Sequence, residues 1–176
     1  CPASAASNGV EAPSGGGTCT APLAGFVPAV TLSLTPTDAQ GYLVDGWNSR
    51  LRYAVTTANT NAFTFTTTGQ MKAVGMTGLG ADLRVCSTST GIIAGPSCAA
   101  NATLTSTAVA IIYSLGPNFA TGGTGADESK NLDGDRLFIS HDPTPSGATN
   151  GEFDDLVVWL SPNLLYNRLI AAGALP

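Results

Sequence analysis

Apolar and polar residues alternate in short runs along most of this chain, and the clearest pattern lies near its end, in residues 151–173, GEFDDLVVWLSPNLLYNRLIAAG. Leu156, Val158 and Leu160 interleave with Val157 and Trp159, so residues 154–160 are apolar on both faces yet too few for a helix. That predicts a central strand buried on both sides. Ser161 then offers an oxygen to the free N–H groups of a helix start, and Pro162 suits the first helical position because it has no N–H to leave unpaired. Leu164, Leu165, Leu169 and Ile170 recur at helical spacing, Arg168 sits toward the negative end of the helix dipole, and Gly173 can adopt the left-handed stop.

Upstream the periods are shorter. Residues 26–34 are apolar but interrupted by Pro28, which reads as a buried irregular segment or short strand. Asp45, Gly46 and Asn48 form a turn that places Trp47 against the strand of residues 51–55, where Leu51, Tyr53 and Val55 alternate with Arg52 and Ala54. Residues 62–68 (AFTFTTT), with a continuation over 71–76, and residues 82–88 (DLRVCST) read as further strands of a meander. Residues 107–115 (TAVAIIYSL) form a second apolar strand, stopped by Gly116 and Pro117, and residues 136–140 a short one. The stretch 116–155 is a long acidic loop region, with no helix expected in it.

Composition narrows the class. The 176 residues fit one domain with a core of its own, and only 11% are charged, which suits many short strands on a sparsely charged, secreted surface. A net charge of −5 with scattered Lys and Arg gives no attraction for polyanions, so nucleic acid is excluded as a partner. Four cysteines, Cys1, Cys19, Cys86 and Cys98, lack zinc-knuckle and Cys-x-x-Cys spacing and read as disulfides. Three connectivities are open, and the sequential one closes the shortest loops. Residues 1–22, rich in Ala, Ser, Gly and Pro, then form an N-terminal loop tied down by its bridge. No run reaches the eighteen or so apolar residues that span a bilayer.

Candidate chemistry is concentrated late in the chain. Eight of the twelve acidic residues lie between Asp127 and Asp155. Asn131, Asp133 and Asp135 fall at alternate positions around Gly134, and Asp154 and Asp155 can add oxygens if the loop ends meet, a donor set suited to calcium. The EF-hand pattern fails, since Arg136 and Asp142 stand where it needs Gly and Glu. The same spacing equally suits a solvated hairpin neutralised by Lys130 and Arg136. His141, beside Ser140 and Asp142, reads as a surface histidine. Asp154 and Asp155, as neighbours on a strand, point to opposite faces and cannot flank one bond. Trp47 and Trp159 read as core, and no catalytic residue is assigned. Asn101-Ala102-Thr103 matches the glycosylation acceptor, a pattern that a chain rich in Asn and Thr produces by chance.

Three stretches together resemble a known family. DGWNSRLRYAV, AIIYSLGPNF and the tail GEFDDLVVWLSPNLLYNRLIAAGALP are similar to segments of type IV pilin-like proteins and type II secretion pseudopilins, over most of residues 41–176. The resemblance implies a pilin-like α+β fold, an antiparallel sheet of four to seven strands with a short C-terminal helix, here as the globular domain without its N-terminal membrane helix. It implies a noncatalytic filament subunit, closest in its cysteine-closed loops to a minor pilin. Its partners are other pilin or pseudopilin subunits and the inner-membrane assembly machinery. It would be anchored facing the periplasm before assembly and then carried in a filament of a Gram-negative bacterium. Calcium at Asp133, Asp135, Asp154 and Asp155 also follows from the resemblance. The alternatives are a secreted carbohydrate- or surface-binding adhesin module, favoured by aromatic side chains along an exposed groove, and a calcium-dependent hydrolase, which requires a deep pocket with a buried carboxylate or a His141–serine contact.

Overall fold

The β-branched and aromatic runs pair as strands, and the Gly- and Pro-rich stretches between them turn the chain. A computed structural model describes residues 1–57, 63–92, 97–121 and 123–175. In chain order the elements are β1 (Gly25–Phe26), α1 (Ala29–Leu32), β2 (Arg52–Val55), α2 (Gln70–Val74), β3 (Leu83–Cys86), β4 (Thr103–Ala108), β5 (Ala110–Ser114), α3 (Ala126–Asn131), β6 (Leu137–Ile139), β7 (Leu156–Leu160) and α4 (Pro162–Ala171). The class is α+β. One sheet runs β1-β2-β5-β7, antiparallel throughout; the other runs β4-β3-β6, antiparallel between β3 and β4 but parallel between β3 and β6.

The core lies between the two sheets. Directly paired residues share a face, so Ala54, Ile111 and Trp159 line up across the larger sheet, followed by Arg52, Tyr113 and Val157. Ala54, Ile111 and Tyr113 pack with Leu83, Val85 and Phe138 of the smaller sheet, and Tyr113 meets Phe138 edge-to-face at 5.4 Å. Two disulfides, Cys1–Cys19 and Cys86–Cys98, are sequential neighbours. The first holds the N-terminal loop, where Ala3 pairs with Phe26 of β1.

Several expected elements differ. The strand over 154–160 exists from Leu156, but it is an edge rather than a centre, and its outer face is open: Leu156 is 52% and Val158 68% exposed. The apolar run 107–115 is divided at Val109 between β4 and β5, which belong to different sheets, so one strand becomes the corner linking both. Residues 63–68 form turns with one bridge from Thr67 to Gly16, and Ala62 lies outside the described residues. The continuation over 71–76 is helical, because Gly69 in the left-handed region starts α2 and Gly75 ends it. Trp47 sits at a turn tip and is 44% exposed, since Asp45 Oδ1 accepts its backbone N–H and turns the ring outward.

The C-terminal helix forms as its sequence requires. Ser161 Oγ accepts from Leu164 N at 3.3 Å, Pro162 is the first helical residue and Gly173 is left-handed at φ +69°. Within α4 only Tyr166 is buried, and Leu164 flanks the open sheet face rather than a core. Among the described residues no helix is long and apolar enough to cross a membrane.

Candidate functional site

Two features stand out. The first is an acidic cluster built where α3 meets the segment before β7. The region expected to be loop contains α3, and its Glu128 reaches back to accept from Gly125 N at 3.4 Å and Thr124 N at 3.2 Å, the third-position glutamate contact that fixes a helix start. Asn118 Nδ2 at 3.0 Å and Asp154 N at 3.0 Å donate to its other oxygen. Glu128 is fully buried, and Asp154 and Asp155 bring one carboxylate oxygen each to within 4.8 Å of it and of each other. The two neighbours converge because they precede β7 instead of lying in it, so the alternation that separates neighbours on a strand does not apply.

The other expected ligands lie differently. Asn131 is a clasp: its Nδ2 donates to Ile139 O at 3.1 Å and to Asp155 Oδ2 at 2.7 Å, while its Oδ1 accepts from Ile139 N at 2.6 Å. It ties α3, β6 and the approach to β7 together. Asp133 and Asp135 both accept from Lys130 Nζ, and Asp133 Oδ1 further accepts from Asp135 N at 3.0 Å, so that pair closes a charged turn beside the cluster. Glu128 was not among the residues singled out by spacing, although a glutamate three residues after a glycine that opens a helix was the available signal.

The electrostatics of the cluster are those of crowded buried carboxyls. Burial pushes the Asp155 carboxyl up to about 7, helped by Glu128 and Asp154 and opposed by the Asn131 hydrogen bond and by Arg52. Burial, then Glu128 and Glu152, also raises Asp154. Two buried oxygens here, Asp154 Oδ1 and Asn118 Oδ1, have no hydrogen-bond partner. An all-oxygen donor set with orphaned acceptors and a surplus of negative charge fits a hard divalent cation, and the triad of Glu128, Asp154 and Asp155 can hold a metal ion.

His141 stands nearby in a polar cleft. Its ring stacks on Phe153 at 4.0 Å, with Nε2 3.1 Å from Asp127 Oδ2 and Nδ1 2.7 Å from Asp142 O. Asp127 also accepts from Ser89 N at 2.6 Å and Asn150 Nδ2 at 2.9 Å; burial raises its carboxyl, but these bonds outweigh it and hold the group below the usual range. Both ring nitrogens face oxygens other than a serine hydroxyl. His141 is thus a packed joint between α3 and the segment before β7, more enclosed than a free surface histidine.

The second feature is the outward face of the four-stranded sheet. Tyr53, Ile112 and Val158 align across it, flanked by Val55, Ala110 and Leu160. Leu32 of α1 on one side and Leu164 of α4 on the other make it a groove of about 390 Å³ walled almost wholly by carbon. A sheet with both faces apolar normally has both covered. Here the second cover is partial: Val55 and Ala110 are buried, whereas Ile112 is 43% and Val158 68% exposed. No protein-family model matches the chain, and no curated protein or solved structure matches it either.

Proposed function

We propose that this chain is a structural subunit of an extracellular or periplasmic filament, a minor pilin or pseudopilin of the type IV pilus or type II secretion class, and that it performs no catalysis. The observation that carries the reading is the open apolar groove on the β1-β2-β5-β7 sheet. Its lining carries no charged side chain and it is bordered on both sides, an environment suited to one apolar helix lying across the strands. A filament subunit of this class supplies such a helix from its own chain, anchors by it in the inner membrane and buries it in the fibre on assembly. The two disulfides agree with maturation in an oxidising compartment such as the periplasm. In this reading the acidic triad binds calcium, which rigidifies the loop that packs against β7.

The test is incorporation. Val158→Asp in the full-length subunit places a charge in the groove at a position already 68% exposed, so the isolated domain keeps its stability to within about 0.5 kcal/mol. Filament incorporation in the cell of origin falls to background. Normal incorporation of the variant, or turnover of a substrate by the purified domain, overturns the reading. For the metal, calcium raises the melting temperature at neutral pH, EDTA reverses it, and Glu128→Gln removes the response. A melting curve indifferent to both reagents sinks the calcium assignment and leaves the filament assignment standing.

A further inference from the structure

At the β1 end of the larger sheet, on the side away from the apolar groove, two arginines face a cleft of about 330 Å³. Their situations differ. Arg50 is committed: its Nε donates to Asp38 Oδ2 at 2.6 Å, its Nη2 donates to Gln40 Oε1, and its guanidinium lies 4.2 Å over the Tyr42 ring. Arg52, the first residue of β2, is half-buried and makes no ion pair among the described residues. Its guanidinium lies 5.3 Å over the Phe26 ring. The Tyr113 hydroxyl takes one side-chain hydrogen bond from it, and Asp155 attracts it without forming an ion pair, which leaves the rest of the fork to the cleft.

The walls of the cleft are Phe26, Leu115 and the partly exposed Phe119. A planar fork of donors beside aromatic and aliphatic surface matches a carboxylate two bonds wide better than a point charge does. Asp38 on the rim and the chain's net charge of −5 disfavour polyanions such as nucleic acid or polyphosphate. We propose that this cleft binds a single carboxylate carried on an apolar body, with the Arg52 fork holding the carboxylate and Phe26, Leu115 and Phe119 enclosing the body. The carboxylate belongs either to a small free acid or to an acidic residue beside an aromatic one in a partner protein. The proposal stands on its own and does not depend on the filament reading.

Isothermal titration and NMR of the full domain with phenylacetate, its neutral counterpart phenylacetamide, and the capped dipeptide acetyl-Phe-Asp-amide test it. Phenylacetate or the dipeptide binds saturably and shifts the Arg52 Nε–H resonance, whereas phenylacetamide binds about 10- to 100-fold more weakly, the loss of a charge-assisted hydrogen bond. Arg52→Gln weakens the acids by a similar factor and leaves the amide unchanged. Phe119→Ala, at the rim and outside the core, weakens acid and amide alike, which keeps the test valid if Arg52→Gln unfolds. Tighter binding of the dipeptide identifies a protein partner, and tighter binding of phenylacetate a small acid. Equal binding of acid and amide, unchanged affinity in Arg52→Gln, or no saturable response to either acid overturns the proposal.

Discussion

Asp155 sets how the molecule answers to pH. Its carboxyl titrates near 3.8 when solvated and about 7 in the fold, so between those values the native state binds more protons than the unfolded chain, and stability falls as pH rises. Asp127 acts in the opposite sense: its lowered carboxyl contributes stability above the ordinary aspartate range that is lost as pH falls through its native value. Metal-free protein therefore melts at a higher temperature at pH 5 than at pH 8, and Asp155→Asn flattens that slope; a wild-type slope of the opposite sign excludes Asp155 as its source. Gly116 is the second residue on which the cluster depends. It is left-handed at φ +64°, and a Cβ there would stand 2.2 Å from Asp154 Oδ1. Gly116→Ala should cost roughly 2 kcal/mol or more in a denaturant titration, from backbone strain and overpacking together. Sequence reading found Asp154 and Asp155 but not Glu128 or Gly116. Spacing ranks residues near one another in the chain, and these four meet from three separate segments.

At the scale of elements, helix α4 was the most legible part, because its determinants are local: a serine cap, a proline and a glycine stop within thirteen residues. Ser161→Ala removes the one side-chain cap and should cost about 1 kcal/mol. Because only Tyr166 of the helix is buried, the loss appears as faster hydrogen exchange confined to residues 162–171, with the global melt nearly unmoved. A drop in global stability of the full cap energy would mean that α4 is part of the cooperative core. Strand β7 was legible in extent but not in surroundings. Leu156, Val158 and Leu160 do alternate with Val157 and Trp159 as a doubly covered strand would, and pattern alone cannot reveal that one cover is partial. Residues 107–115 carried a similar ambiguity, since a continuous apolar run contains no mark of the corner at Val109 where the chain leaves one sheet for the other.

For the whole molecule, the α+β class and the presence of disulfides were readable, the sequential pairing was one of three open connectivities, and the split into two sheets and the parallel β3–β6 pair were not. Parallel neighbours require a long crossover, and nothing in the short strand at Leu137–Ile139 marks its partner as Leu83–Cys86 rather than an adjacent hairpin. That ladder imposes an order of events on synthesis. Cys86 and Cys98 emerge together and β4 follows at once, so the oxidised loop and the β3–β4 hairpin can close early. The remaining flank of β3 must then wait about thirty residues past β4, about fifty past its own end, before β6 arrives to occupy it, a contact distant enough in the chain to be slow. A nascent chain paused in that interval carries an unsatisfied strand edge. Shielding that edge until β6 arrives becomes a requirement of biogenesis.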